Sequence, residues 1–191
     1  MNIILQKLAV TGIGFAVLLF ASGCSAVLVS QPIGEKPHVL VAADWDGYWL
    51  VHPELNKKPV MIHVKVTNPN EGRMQLACLE DDATKVQIFE ATVRESGSES
   101  VLFVTLRVEA EKADLMAWGC LGRGEDLALV WVPDVEKFAA LVRDGKLRGK
   151  LVERGVSIEP PTAEELKTLV PDAAGMPFYP GAPAVFHRVA R

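Results

Sequence analysis

The sequence is poor in reactive side chains. Its 191 residues include 3 cysteines and 4 histidines, and 7% of them are aromatic. There is no Cys-x-x-Cys pair, which disfavours a catalytic redox dithiol. There is no Gly-x-Ser-x-Gly motif, and the glycine-rich residues 119–124 have the wrong spacing for a dinucleotide loop. These absences argue against hydrolytic, redox and nucleotide-dependent enzymes, so we predict no catalytic residues and no cofactor.

Positive charge is also scarce. Lysine and arginine number 20 against 24 aspartate and glutamate, which gives a formal net charge of −4. The one basic cluster, residues 146–150, is too short to bind a phosphate backbone and more simply decorates an exposed strand. The composition therefore predicts that nucleic acid is not a partner.

The histidines do not form a metal-binding pattern. His52 and His63 fall in neighbouring predicted strands, without a nearby cysteine or carboxylate at ligand spacing, so we predict no metal. His63 alternates with apolar residues and is expected to face solvent. A catalytic alternative stays open because convergent residues on different strands can escape sequence patterns; it would require a cleft that gathers several of five side chains. These are Asp44, Asp46, His52, His63 and Glu80.

The N-terminal segment has the layout of a secretory signal peptide. Lys7 precedes residues 8–20, which are uncharged and mostly apolar, and Ala21-Ser22-Gly23-Cys24 follows. The apolar run is short for a membrane-spanning helix, and small residues before a cleavage point are typical of signal peptides. Two alternatives remain: an uncleaved anchor that extends through the apolar residues 26–29, and simple secretion.

A cysteine directly after small residues resembles the lipobox of bacterial lipoprotein precursors, although Ala21 stands where that family usually has leucine. The resemblance implies cleavage before Cys24, diacylation of its thiol and acylation of its new amine. Several acyl chains hold a protein to a bilayer almost permanently. In Gram-negative members, aspartate after the cysteine retains the protein at the inner membrane. Ser25 therefore implies the outer membrane, with the protein facing the periplasm.

We expect three regions: a signal peptide over 1–23, the lipidated Cys24 with a tether over 24–44, and one globular domain over 45–191. Proline and glycine break regular structure in the tether. Removing residues 1–23 leaves 168 residues, enough for one domain with its own core. Loss of Lys7 changes the formal net charge from −4 to −5.

The domain is predicted to be mainly β within the α+β class. Residues 60–67 alternate apolar and polar side chains, and Asn68-Pro69-Asn70 provides a turn. The meander of seven to eight antiparallel strands should curl into a barrel-like sheet, because a long open edge invites aggregation. The seven predicted strands are 45–52, 60–67, 73–80, 86–93, 101–108, 115–121 and 127–132.

The C-terminal part should contain two helices. Residues 135–144 repeat apolar side chains at helical spacing, and Gly145 provides a stop. Thr162 and Glu165 have capping-box spacing before a helix over 163–170. A further short strand is expected at 156–158. The proline- and aromatic-rich residues 176–191 are expected to be coil that includes at most one strand.

Two cysteines remain after Cys24 is assigned to the lipid. Cys78 and Cys120 form an even pair in an oxidising compartment, and each lies in a predicted strand. A disulfide between strands and two buried thiols that act as small apolar side chains are both compatible with the sequence.

Gly47-Tyr48-Trp49 at the head of the first strand resembles the first signature of lipocalins, although the second signature is absent. That resemblance implies that Trp49, with Trp45 on the same strand face, closes the barrel floor beneath a cup for a small apolar ligand. Both tryptophans are equally compatible with an ordinary core position.

The sequence thus leads to a non-enzymatic, lipid-anchored cell-envelope lipoprotein that acts through an envelope protein partner or structural contacts. The first alternative is a lipocalin-like carrier of a small apolar ligand, and the second is a periplasmic enzyme.

Overall fold

The computed structural model describes residues 26–52, 59–79, 86–96, 101–108, 115–152, 155–169 and 183–189. These residues form twelve strands, three α-helices and one 3-10 helix at Pro69–Glu71. The strands are β1 Ala26–Val29, β2 Lys36–Pro37, β3 Gly47–His52, β4 Val60–Asn68, β5 Arg73–Leu79, β6 Val86–Glu95, β7 Leu102–Val108, β8 Met116–Arg123, β9 Leu127–Trp131, β10 Gly149–Val152, β11 Gly155–Ile158 and β12 Ala184–Arg188. The helices are α1 Ala42–Trp45, α2 Val135–Arg143 and α3 Ala163–Leu169.

Eight strands form a closed antiparallel barrel, which confirms the predicted fold class. Strands β3 to β9 pair in sequence order, and β12 pairs with both β9 and β3 to close the ring. The alternation of apolar and polar side chains along β4 gives the barrel wall an apolar inner face and a polar outer face. Ile62, Val64 and Val66 are buried, while His63 and Lys65 between them are exposed. A closed ring satisfies every strand edge with backbone hydrogen bonds.

The sheet branches at β8. The first residues of β8 pair with β1, through Leu28 opposite Ala117, whereas its last residues pair with β9, through Trp131 opposite Cys120. Strand β11 pairs in parallel with β1, and β10 pairs antiparallel with β11. Strands β1, β11 and β10 therefore continue the sheet outside the barrel, and the short strand β2 pairs separately with β6.

Two hydrophobic cores lie on opposite faces of the barrel wall. The inner core fills the barrel and contains Trp49, Ile62 and Phe89, all buried. The outer core lies between the β7–β8 wall, the branch strands and two helices. There Trp118 makes edge-to-face contacts with Phe103 and Phe138, at centroid distances of 6.1 and 5.5 Å.

Helix α2 matches its prediction closely. The Asp134 carboxylate caps its N-terminus by accepting hydrogen bonds from the backbone N–H groups of Glu136 and Lys137. Phe138 and Ala139 are buried in the outer core, as their helical spacing predicted. Gly145, which follows the helix, has a φ of +68° and permits the chain to reverse.

The predicted capping box forms at α3. The backbone N–H of Thr162 donates to the Glu165 carboxylate at 2.7 Å, and the Glu165 N–H donates to the Thr162 hydroxyl at 3.2 Å. The Arg148 guanidinium also donates to both oxygens of Glu165, at 3.1 Å from Nε to Oε1 and 3.1 Å from Nη2 to Oε2. Burial raises the pKa of Glu165, but these hydrogen bonds outweigh it and lower the pKa to about 2.

Glu165 should make acid stability depend on this contact. Its pKa in the folded state lies below its ordinary value of 4.5, so its contribution is present above that value and is lost as the pH falls towards 2. Because Arg148 is half exposed, the contribution should be on the order of 1–2 kcal/mol. Urea unfolding of the parent and of Glu165→Gln should differ by that amount near pH 6 and by clearly less near pH 3. An identical difference at both pH values would contradict this assignment.

The predicted tether is wrong from Ala26 onward. Residues 26–29 form β1 with Val27 and Val29 buried, and Ile33 and Leu40 are also buried. The apolar side chains pack into the sheet because β8 leaves an edge open where β9 diverges from it. The folded domain therefore begins well before residue 45.

The predicted first strand also begins too early. Trp45 is the last residue of α1, so it does not share a strand face with Trp49, which lies in β3. Gly47, with a φ of +130°, carries the chain from the helix into the strand.

Cys78 and Cys120 are not joined to each other. Cys78 on β5 points into the inner core, and Cys120 on β8 belongs to the outer core, so the barrel wall separates the two thiols. The disulfide alternative is therefore wrong, and each cysteine is a buried thiol. Burial raises the pKa of the Cys120 thiol to about 11. Among the described residues, no helix is long and apolar enough to cross a membrane.

Candidate functional site

Two tryptophans pack against each other where α1 leads into β3. Trp45 and Trp49 are both buried, and their ring centroids lie 6.0 Å apart. The Trp49 indole N–H donates to the backbone carbonyl oxygen of Trp45 at 2.8 Å. Trp49 therefore belongs to the inner core, and α1 supplies its aromatic neighbour.

Two arginines that the sequence does not predict as site residues pack on these rings. The Arg123 guanidinium carbon lies 4.3 Å from the Trp45 ring centroid, and that of Arg188 lies 6.0 Å from the Trp49 centroid. Both donate to the Asp44 backbone carbonyl oxygen, at 2.9 and 3.2 Å. Burial lowers the pKa of Arg123, the nearby charge of Asp44 opposes this, and Arg188 adds to the lowering. No local signal reveals them, because they end strands that the barrel brings together.

The barrel interior is nearly filled. Its apolar cavity has a volume of about 40 Å³, whereas pockets for small ligands measure roughly 300–1,000 Å³. An apolar void of this size also tends to remain dry. The cavity is lined by Trp45, Trp49, Ile62, Val64, Met74, Leu76, Val104, Leu106, Leu121, Ala128, Val130 and Phe186. The described part of the barrel interior is too small to hold the ligand that a lipocalin-like carrier would bind.

A much larger depression lies on the outside of the barrel. Residues 30–37, which we call the strap, cross the outer faces of β6 and β7 and enclose a groove of about 580 Å³, the strap groove. Backbone N–H groups of the strap donate hydrogen bonds to the barrel wall. The Ile33 N–H donates to the buried Thr105 hydroxyl at 3.3 Å, and the Glu35 N–H donates to the Glu95 backbone carbonyl at 2.9 Å. A volume of this size lies within the range of binding pockets.

The lining of the strap groove is polar and of mixed charge. Arg94 is committed to the strap, because its guanidinium donates to the carbonyl oxygens of Gly34 and Glu35 at 3.0 and 2.9 Å. Arg73 pairs with Glu71 at 3.0 Å. The other charged residues of the groove are Glu90 and Arg107, which lie opposite each other on β6 and β7.

Glu90 and Arg107 leave capacity for a bound partner. Both side chains are exposed, and neither forms an ion pair or hydrogen bond within the described part of the chain. A carboxylate and a guanidinium side by side favour charge-assisted hydrogen bonds to a polar surface. The polar, oppositely charged side chains of the groove suit contacts with a polar partner.

None of the described members of the enzymatic set lines the barrel cavity or the strap groove, although His63 is close enough to Asp46 to help lower the pKa of that carboxylate. Burial raises the pKa of Asp46, but hydrogen bonds from Lys65 and the Val66 N–H outweigh it and lower the pKa. His63 is exposed, as predicted, and contacts the Tyr48 ring, with centroids 5.0 Å apart.

The other two described members of the set, His52 and Asp44, have different neighbours. His52 lies at the far end of β3 and faces the His187 ring at 5.8 Å. The Asp44 backbone binds the two arginines, and Glu80 lies outside the described residues. Across the described ranges, no group of three His, Cys, Asp or Glu side chains is arranged to hold a metal ion.

Cys24 lies outside the described residues, so its predicted lipidation stays a prediction. Comparisons of the chain with protein-family models, with curated proteins and with solved structures give no match.

Proposed function

We propose that this protein is a lipid-anchored bacterial cell-envelope lipoprotein that acts without catalysis, through binding or structural contacts in the periplasm. The observation that carries the proposal is the sequence Ala21-Ser22-Gly23-Cys24 at the end of an uncharged apolar segment. The acylated Cys24 is the membrane anchor, and the outer membrane is its destination because serine follows the cysteine.

The arrangement of the domain supports a contact function. The strap groove is large and polar, and the exposed Glu90 and Arg107 can meet complementary charges on an envelope protein. The carrier alternative would need space inside the barrel, and the described interior contains only about 40 Å³. The enzymatic alternative would need its residues in one cleft, and none of its described members lines the barrel cavity or the strap groove.

Cys24→Ala is expected to abolish maturation. Without the thiol there is no acylation site, and cleavage that depends on acylation fails, so the product should retain residues 1–23. Intact-mass analysis of the protein purified from membranes measures both changes. The parent should begin at Cys24 and carry the mass of its acyl chains.

Ser25→Ala is the matched control, because it alters the adjacent residue and leaves the thiol in place. It should mature as the parent does. Normal cleavage of Cys24→Ala, or a parent protein that starts at Met1 without added hydrocarbon, would disprove the anchor.

A further inference from the structure

We propose that the edge made by β10 and the start of β1 lies against the bilayer that holds the acyl chains of Cys24. The surface comprises Ala26, Gly155 and the β10 residues Lys150, Leu151 and Val152, and we call it the anchor edge. The inference rests on the proposed lipidation and adds an orientation: one particular side of the domain faces the lipid.

The chain between the acylated cysteine and the folded domain is short. Ser25 is the single residue between Cys24 and β1, and two residues span at most about 7 Å. Ala26 cannot move away from the domain, because β1 pairs with β11 along its whole length and buries Val27 and Val29. The anchored end of β1 must therefore lie within a few ångströms of the lipid headgroups.

Strand register identifies what lies beside Ala26. Ala26 is opposite Gly155 on β11, and Gly155 is opposite Val152 on β10. Adjacent strands are about 4.8 Å apart, so Val152 lies roughly 10 Å from Ala26 across the sheet. A bilayer that holds Cys24 therefore meets β10 as well.

The side chains of β10 suit an interfacial position. Leu151 is 49% exposed on the last strand of the branch, and Lys150, whose side chain leaves the opposite face of that strand, is also exposed at the same sheet edge. A lysine can place its methylenes among apolar groups while its ammonium stays at the level of the phosphates. Leucine adds apolar area to a surface that acyl chains already hold at the membrane.

Another part of the chain provides a matched contrast. Met61 is 53% exposed on β4, nearly the same as Leu151. In the sheet order, β4 is separated from β1 by β8, β7, β6 and β5 around the barrel. If the anchor edge faces lipid, Met61 must point away from it.

Fluorescence quenching tests the orientation in the full, processed protein. The variants Leu151→Cys and Met61→Cys carry a polarity-sensitive fluorophore, and Lys150→Cys provides a second position on β10. Labelling should be selective, because Cys78 and Cys120 are buried and burial raises the pKa of the Cys120 thiol. Each protein is reconstituted in phosphatidylethanolamine–phosphatidylglycerol vesicles that contain lipids with a headgroup quencher.

The fluorophore at Leu151 or Lys150 should be quenched roughly twofold or more above that at Met61. Equal quenching at all three positions, in protein whose intact mass shows the acyl chains, would overturn the orientation and leave the lipoprotein assignment standing. A mass without acyl chains would overturn both.

Discussion

Replacing Trp49 by alanine is expected to lower the free energy of unfolding by about 3–5 kcal/mol. A natural domain has roughly 5–15 kcal/mol in total, so the variant should melt well below the parent, and a domain at the low end of that range would unfold. The cause is a cavity: the Trp49 side chain is 1% exposed, and its loss would enlarge an apolar void that is already present beside it.

The substitution also removes the contacts that join Trp49 to α1 and to the end of β12. The indole ring packs on Trp45 and lies near the Arg188 guanidinium, and its N–H satisfies the carbonyl oxygen that ends α1. That carbonyl would lose its partner in the variant, and an unsatisfied buried polar group costs about 1–3 kcal/mol.

Urea or thermal unfolding followed by circular dichroism measures the effect. Tyr48→Ala is the matched control, because Tyr48 is the neighbouring aromatic residue on the same strand and is 55% exposed. It should cost less than about 1 kcal/mol. A Trp49→Ala protein that melts with the parent would show that Trp49 is not part of the core.

Gly155→Ala is expected to destabilise the branch of the sheet by about 2–5 kcal/mol. Gly155 has a φ of +132°, a conformation that residues with a side chain rarely adopt. A Cβ at this position would also overlap the backbone carbonyl oxygen of Ala26 and lie 2.7 Å from its nitrogen. Backbone atoms in a paired strand cannot yield without breaking the β1–β11 pairing.

Gly47→Ala separates the two causes. Gly47 has nearly the same φ as Gly155, +130°, but a Cβ there meets no atom within 4 Å. Its substitution should cost only the conformational term, about 1–3 kcal/mol. Urea unfolding of both variants against the parent gives the comparison. Equal costs for the two glycines would argue that β1 does not pack against Gly155.

Part of the candidate site was predictable, and part was not. The Gly-x-Trp spacing points to Trp49, and this residue is buried against Trp45 in the inner core. Arg123 and Arg188 were not identified, because their common target is the carbonyl of Asp44, 79 and 144 residues away in sequence. The sequence does not predict the strap groove, since the prolines and glycine of residues 30–37 are equally typical of a tether.

The sequence by itself determined the features that depend on neighbouring residues. The two-residue alternation in β4, the turn in which the Asn68 side chain accepts from the Glu71 N–H, and the Thr162–Glu165 capping box all follow from short-range chemistry. The meander and the two C-terminal helices were predicted on the same basis.

Only the tertiary structure decided which strands pair with each other across long distances in the sequence. Closure of the barrel by β12 and capture of residues 26–29 by β8 depend on partners far away in sequence, and periodicity does not specify a partner. The separation of Cys78 from Cys120 and the filled interior were decided at the same level. Both features depend on the side chains that many strands together direct to one face of the sheet. No single segment of the sequence contains that information.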